Sequence, residues 1–400
     1  MKRDILLLCQ YFYPEYNSSA RLPYDTACFL AKKGFSVDVL SGVPKDYCYG
    51  KIAPKKQKLN GINIKRISYM HLNRTKKIGR IINLCSFTVA AMLRLFSLRK
   101  YRCIIVYSNP PILPLVAALA NKLFKTKFVF IAYDIYPEIA VTTNTINSGG
   151  IINRGFNFVN KIVYSNVDRV VALTDDMRNH LITSRAAIDS HRIITIPNWA
   201  YEEKTLSDSC EVSKSDKFTV SYFGNMGACQ ELNTLLECIK EDSPENGVKY
   251  FFAGHGSLMP KVKNETEKFE YVEIENFLTG ESFSKAMRDS SCCIVSLENG
   301  LSNLCAPSKY YSYLYGGKPI LSIMDSNSYL AKEIEKERIG FNSQPGDVKS
   351  LQKAIRFLKN NPDEYKKMCE RSYALYKSKY ARNISLQKFA DMLRKLIDGE

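Results

Sequence analysis

ILLLCQY (Ile5–Tyr11), then FYPEYNSSARLPYDTACFLAKKG (Phe12–Gly34), then SVDVL (Ser36–Leu40) decide the fold class of this 400-residue chain. The first run is apolar without alternation, as in a strand covered on both faces. A helical stretch through Asp25–Lys33 follows, Gly34 ends it, and a second apolar run begins almost at once. A strand, a helix and another strand within ~30 residues form a βαβ unit with parallel strands.

The same rhythm runs outward. Strands are expected at Ile62–Ile67, Cys103–Tyr107, Phe128–Ala132, Arg169–Leu173 and Arg192–Ile196, with helical stretches between most of them. A second set begins at Phe218–Phe223 and continues through Lys249–Ala253, Tyr271–Ile274, Cys293–Leu297, Pro319–Ile323 and Gly340–Asn342. Between the sets, YEEKTLSDSCEVSKSDK (Tyr201–Lys217) is polar and lacks strand pattern, so it reads as a linker. From Pro362 onward the chain is expected to be helical throughout. The expected class is α/β, with two doubly wound domains facing one another; ligands bind such sheets at the carboxyl ends of the strands.

The apolar fraction of 45% and charged fraction of 24% exclude a disordered or low-complexity chain. Lys and Arg number 57 against 40 acids, and the excess is local. Tyr47–Tyr133 holds 17 basic residues and no acid, while the rest balances. A local basic face points to an anionic partner: nucleic acid, a membrane surface or a phosphorylated substrate. The 12 cysteines have no CxxC spacing, so a reducing, cytosolic compartment is expected and a zinc site is not. The opening apolar run is too short for a signal peptide, and Arg94 interrupts the best membrane-spanning candidate, Ile78–Leu98.

The chemistry-bearing motifs lie at expected strand ends. NSSAR brings Asn17, Ser18, Ser19 and Arg21 to a helix start, where free N–H groups can hold an anion. YFGNMGACQEL (Tyr222–Leu232) is a strand, a glycine loop and a helix; Gly224 and Gly227 let backbone approach a phosphate or sugar, with Asn225 and Gln230 alongside. AGHGS (Ala253–Ser257) is a second such loop and carries His255. In PSKYYSYLYGGKP (Pro307–Pro319), Ser308 is expected to N-cap a short helix with Lys309 in its first turn, against the helix dipole unless a diphosphate binds there. YDIYPE (Tyr133–Glu138) places Asp134 and Glu138 at a strand end as candidate catalytic carboxylates.

In order and spacing these motifs, with SNPP (Ser108–Pro111), ALTDDMRNHL (Ala172–Leu181) and IPNWA (Ile196–Ala200), resemble the retaining glycosyltransferase family four of GT-B fold, nearest to the fucosaminyltransferase-like enzymes of bacterial O-antigen and capsule assembly. The resemblance implies an acceptor-side domain over 1–200, a linker at 201–217, a nucleotide-sugar domain over 218–375 and a helix at 376–400 crossing back to the first. It implies a nucleotide-diphosphate-sugar donor, UDP-linked, a lipid-diphosphate-linked saccharide acceptor, and no cofactor or metal; the chain has no DxD pair. Many members carry E-x7-E before the final Gly-x-Pro. Here those positions are Leu304 and Ser312, which leaves the ribose to the Ser312 hydroxyl and backbone. The basic residues such members place in the glycine loop are absent, and Lys309 is the substitute.

Ile78–Leu98 reads as a helix apolar on most sides, either core or partly in a lipid interface. Lys76, Lys77 and Arg80 lie at its start, Arg94 within it, and Arg99 and Lys100 after it. With the implied acceptor, these suit an anionic membrane surface and a cytoplasmic protein peripherally bound to the inner face of the plasma membrane. Two alternatives remain open: a nucleotide-sugar 2-epimerase of the same fold, which needs no such segment, and a basic nucleic-acid binder, against which the paired glycine loops argue.

Overall fold

The computed structural model describes residues 2–44, 53–73, 77–201 and 217–399, with only the backbone for Lys77. The expected linker therefore lies almost wholly outside the described residues, as does Lys76. The chain divides into two compact units, Met1–Pro197 with Asn383–Glu400, and Asn198–Arg382.

The first unit is built on eight strands: β1 (Arg3–Leu8), β2 (Val37–Gly42), β3 (Lys56–Leu59), β4 (Ile62–Ile67), β5 (Tyr101–Tyr107), β6 (Lys127–Ala132), β7 (Arg169–Ala172) and β8 (Ile193–Thr195). They lie in the order β3-β4-β2-β1-β5-β6-β7-β8, parallel except for β3. Helices α1 (Ser18–Lys32), α2 (Lys77–Met92), α3 (Pro114–Phe124), α4 (Glu138–Thr142), α5 (Ile151–Asn166) and α6 (Asp175–Ser184) connect them. Ile5, Leu7, Ile104, Ile105, Val129 and Val171 are fully buried, which explains the unalternating runs.

The second unit has six parallel strands: β9 (Phe218–Asn225), β10 (Val248–His255), β11 (Val272–Glu275), β12 (Cys292–Ser296), β13 (Ile320–Ile323) and β14 (Gly340–Ser343). Their order is β11-β10-β9-β12-β13-β14, the doubly wound 3-2-1-4-5-6 arrangement. Helices α7 (Asn233–Lys240), α8 (Met259–Thr266), α9 (Gly280–Asp289), α10 (Lys309–Tyr315), α11 (Tyr329–Lys336), α12 (Val348–Asn360) and α13 (Pro362–Leu375) cover it. The last helix, α14 (Arg382–Asp398), rejoins the first unit, where Arg102 donates to the Ile397 carbonyl at 2.9 Å and pairs with Asp398 at 3.1 Å.

Several boundaries depart from expectation. Helix α1 begins at Ser18, ahead of Asp25, because the Asn17 carbonyl accepts the Ala20 and Arg21 N–H groups and Pro23 is carried inside the helix. The helix expected over Ile78–Leu98 ends at Met92, where the Arg94 N–H turns to the Ala91 carbonyl, and a 3-10 turn at Leu95–Lys100 follows. The helical tail is broken by a π turn at Tyr376–Tyr380 and by Ala381.

Candidate functional site

In a doubly wound sheet the crevice opens where the strand order reverses, between the first and fourth strands. In the second unit that point lies between β9 and β12. Strand β9 ends in Gly224-Asn225, and α10, in the segment between β12 and β13, brings Lys309 to the same place. The Lys309 Nζ lies 3.6 Å from the centre of the Tyr222 ring and donates to the Asn225 carbonyl at 3.3 Å. Among the described residues no carboxylate acts on it; burial alone drives its pKa well below the ordinary lysine value. A desolvated ammonium held by a ring face and one carbonyl oxygen is a cation prepared for an anionic ligand.

The tyrosines of the Lys309 motif fix that position. Tyr310, Tyr311 and Tyr313 are buried, and the Tyr313 hydroxyl accepts the Phe223 N–H of β9 at 3.0 Å. Tyr310 and Tyr380 each donate to Glu333 at 2.6 Å, which ties α10 to α11 and the π turn. Ser308 occupies the N-cap position, but its side chain does not cap the helix as expected. Ser312 is half-buried one turn further on.

The glycine loops serve different ends. A Cβ at Gly254 would lie 1.9 Å from the Gly224 carbonyl oxygen, and one at Gly256 would lie 2.2 Å from that of Met226. These two glycines let the β9 and β10 loops touch, and Met226 N–H donates to the His255 carbonyl at 2.7 Å. Among the glycines of these two loops, only Gly224 combines a positive φ, +97°, with open space around its missing Cβ. The Gly227 N–H is taken by the Gln230 Oε1 at 2.8 Å, so Gln230 closes the loop on itself. His255 is half-buried, its ring centre 5.1 Å from that of Phe277, and burial lowers its pKa. The expected donor-side residues are thus gathered at one strand edge, with Gln230 turned inward. Glu298, just past β12, opens the stretch to Ala306 that, with Ser257, is expected to set specificity; burial and then the Glu231 charge push its carboxyl upward. Its signal in the sequence is an isolated acid two residues past the end of a mostly apolar strand.

In the first unit the strand order reverses between β1 and β5. Ser108, just past β5, accepts the N–H groups of Tyr133 and Asp134 at 3.1 Å each, fixing the backbone of Asp134 beyond β6. Burial alone raises the Asp134 carboxyl from 3.8 to about 6. Glu138 is placed otherwise. Both its oxygens accept from the Arg185 guanidinium, at 2.6 and 2.7 Å. Burial pushes its carboxyl up, but hydrogen bonds from His180 and Arg185 and the Arg185 charge outweigh that and hold it at about 2. A carboxylate held by two hydrogen bonds from Arg185 stays ionised and braces the segment that follows Asp134.

Asn17 caps α1 with its carbonyl, while its side-chain Oδ1 is buried without a partner. Ser18 and Ser19 open α1, and Arg21 lies 4.4 Å over the Tyr16 ring. Gln10, which the motifs did not single out, is 1% exposed, and neither amide atom has a hydrogen-bond partner among the described residues. Of the basic residues around α2, Arg80, Arg99 and Lys100 are exposed, and Arg94 donates to the Ala90 carbonyl at 2.6 Å. Among the described residues no helix is long and apolar enough to cross a membrane.

Two doubly wound units, parallel but for the edge strand β3, define the fold class: it is the GT-B fold that the solved structures below share. More particularly, residues 24–199 match the family model described as Glycosyl transferase 4-like domain. A curated relative, described as "Probable glycosyltransferase WbjE" of Pseudomonas aeruginosa, is 26% identical over 309 residues, covering 72% of this chain and 74% of that one. Among solved structures, sucrose-phosphate synthase from Thermosynechococcus elongatus is similar with a TM-score of 0.76 at 14% identity over 100% of both chains. Anabaena HepE, solved with UDP-glucose, gives 0.68 at 13% identity over 98% of this chain and 99% of its own. WaaG, described as a glycosyltransferase involved in lipopolysaccharide biosynthesis, gives 0.70 at 12% identity over 97% and 99%.

Proposed function

We propose that this chain transfers a sugar from a UDP-linked donor, with retention and without a metal ion, onto a lipid-diphosphate-linked saccharide in cell-surface polysaccharide assembly, at the inner face of the plasma membrane. The observation that carries the donor half is the Lys309 ammonium, half-buried on the Tyr222 ring at the strand-order reversal, with no carboxylate among the described residues acting on it. The domain match at 24–199, the description of the WbjE relative and the UDP-glucose held by HepE support the same reading. Charge develops on the leaving diphosphate in the transition state, and a fixed cation stabilises it without reorganising. Lys309 supplies that charge, with Gly224, Asn225 and His255 shaping the donor side and Ser312 reaching the ribose. In the first unit Asp134, titrating near neutrality, orients the acceptor hydroxyl beside the α1 start. Glu138 holds the segment after Asp134 in place through Arg185.

The test is thermal protection by UDP with and without EDTA, followed by sugar transfer to a polyprenyl-diphosphate saccharide with the anomeric configuration read by NMR. Equal protection in both buffers and a retained configuration are expected. Protection that vanishes with EDTA overturns the metal-free part. Conversion of the donor at its second carbon without any acceptor would make the protein the epimerase.

A further inference from the structure

A cavity of about 390 Å³ opens in the first unit away from the strand ends that hold Asp134. Tyr101, the first residue of β5, lines it, together with Asp38 near the start of β2. Its charged lining is otherwise cationic: Lys56 and Lys58 from β3, Lys65 from β4, Arg94 and Lys100. Asp38 is already engaged, by Arg3 at 2.8 Å, the Tyr101 hydroxyl at 2.8 Å and the Asn63 amide at 2.8 Å. Among the described residues none of the five cations is paired with a carboxylate. Lys56 moreover stands directly opposite Lys65 in the antiparallel β3–β4 pair. Like charges in that register destabilise a sheet, and an anion between them removes the repulsion.

The wall that carries Arg94 continues into an unusual helix face. Ile78, Ile81 and Val89 are exposed and spaced so that they share one side of α2, with Cys85 between them, and the exposed Leu93 follows just past its end. Leu93 is 81% exposed and Phe96 72%. Phe87 and Ala91, on the opposite side, are fully buried. A helix with one apolar side in the core and a second apolar stripe in the open, followed by the exposed Arg99 and Lys100, suits the headgroup boundary of an anionic bilayer.

We propose that the cavity takes the phosphoryl headgroup of an anionic membrane lipid while the Ile78–Phe96 stripe enters the acyl boundary. The proposal deepens the membrane part of the function above by naming what on the protein recognises the lipid. It commits to a lipid phosphate and not a free one, because the exposed stripe adjoins the cationic wall.

The experiment uses the full chain with vesicles of phosphatidylcholine alone, the same vesicles containing phosphatidylglycerol, and inorganic phosphate as the soluble control. The wild type should bind the phosphatidylglycerol vesicles selectively and release on added salt, since surface charges are screened within about 10 Å at 0.1 M. Lys56→Gln/Lys58→Gln/Lys65→Gln should lower that partitioning on the order of 100-fold. The Lys→Arg triple should restore it, and Leu93→Ser/Phe96→Ser should weaken binding to all vesicles. Undiminished anionic selectivity in the Gln triple overturns the proposal. So does inorganic phosphate that displaces the protein from vesicles at equal phosphate concentration, or a serine pair that binds like the wild type. Thermal protection by UDP, read in the same samples, reports on the donor site separately, so a failed transferase reading and a failed lipid site leave different signatures.

Discussion

The Lys309 ammonium rests on the face of Tyr222, 3.6 Å from the ring centre, and the Tyr222 hydroxyl donates at 3.0 Å to the same Asn225 carbonyl that accepts from Lys309. Cation, ring and carbonyl thus form one rigid group at the end of β9. Such a cation is costly while unpaired and gains most when an anion arrives.

Lys309→Gln should therefore weaken donor use far more than acceptor use. Loss of one charge-assisted contact costs about 1.5–3 kcal/mol, roughly 10- to 150-fold in kcat/KM for the donor. Tyr222→Phe, which keeps the ring face, should cost less than Tyr222→Leu. Donor kinetics unchanged in Lys309→Gln would remove Lys309 from the site.

Asp134→Asn should give a protein that is inactive and more stable. The carboxyl titrates at about 6 in the fold against an ordinary 3.8, so the folded chain binds the extra proton and stability falls as pH rises through that window. Above it the full penalty applies, about 1–3 kcal/mol, and the amide escapes it. Thermal unfolding at pH 8 should rank the variant above the wild type, with the gap closing toward pH 4. A variant less stable at pH 8 would contradict the assignment.

Glu138→Gln should behave in the opposite way. Its carboxyl is held below the ordinary 4.5, at about 2, so the stability it contributes is present above 4.5 and is lost as pH falls toward 2. Breaking the pair with Arg185 should cost about 3 kcal/mol at neutral pH. Arg185→Met should show the same loss. If either variant abolishes transfer while unfolding normally, the carboxylate has a chemical part after all.

The two glycine loops separate by substitution. Gly254→Ala sets a methyl group 1.9 Å from the Gly224 carbonyl oxygen, so β9 and β10 should fail to pair and the second unit should not fold. Gly224→Ala meets no neighbour and has only its positive φ to overcome, about 1–3 kcal/mol, leaving a folded protein with impaired UDP protection. Circular dichroism and UDP thermal shifts on the pair distinguish these outcomes.

Both sheets are legible in the sequence because buried parallel strands have no solvent face to interrupt the apolar run, as at Ile5–Leu8 and Cys292–Ser296. The antiparallel β3 is not legible that way, since its lysines lie on an edge. Its signal is the Asn60-Gly61 turn, where both residues take positive φ, and that pair predicts a hairpin even when the flanking strand is polar. Pro23 marks a helix start by local rules, yet the Asn17 carbonyl moves the start earlier. Lys309 stood out because the glycine loop lacks any basic residue, whereas Tyr222 beneath it reads only as a strand tyrosine. The fate of the glycine loops was hidden because a close approach between two backbones and a close approach to a ligand demand the same residue. Glu138 and Arg185, far apart in sequence, meet only where the residue after α6 reaches the start of α4.

Because the first unit takes its closing helix α14 from residues that follow the whole of the second, synthesis order and assembly order differ. The stretch 198–382 is continuous and can fold while the chain still emerges. The eight-stranded sheet made first must meanwhile wait with the surface around Arg102 and Lys33 uncovered, until α14 brings Ile397, Asp398 and Arg394 to it. A ribosome stalled before α14 therefore leaves a finished second half attached to an unfinished first, the state in which this chain is most exposed to proteases and chaperones.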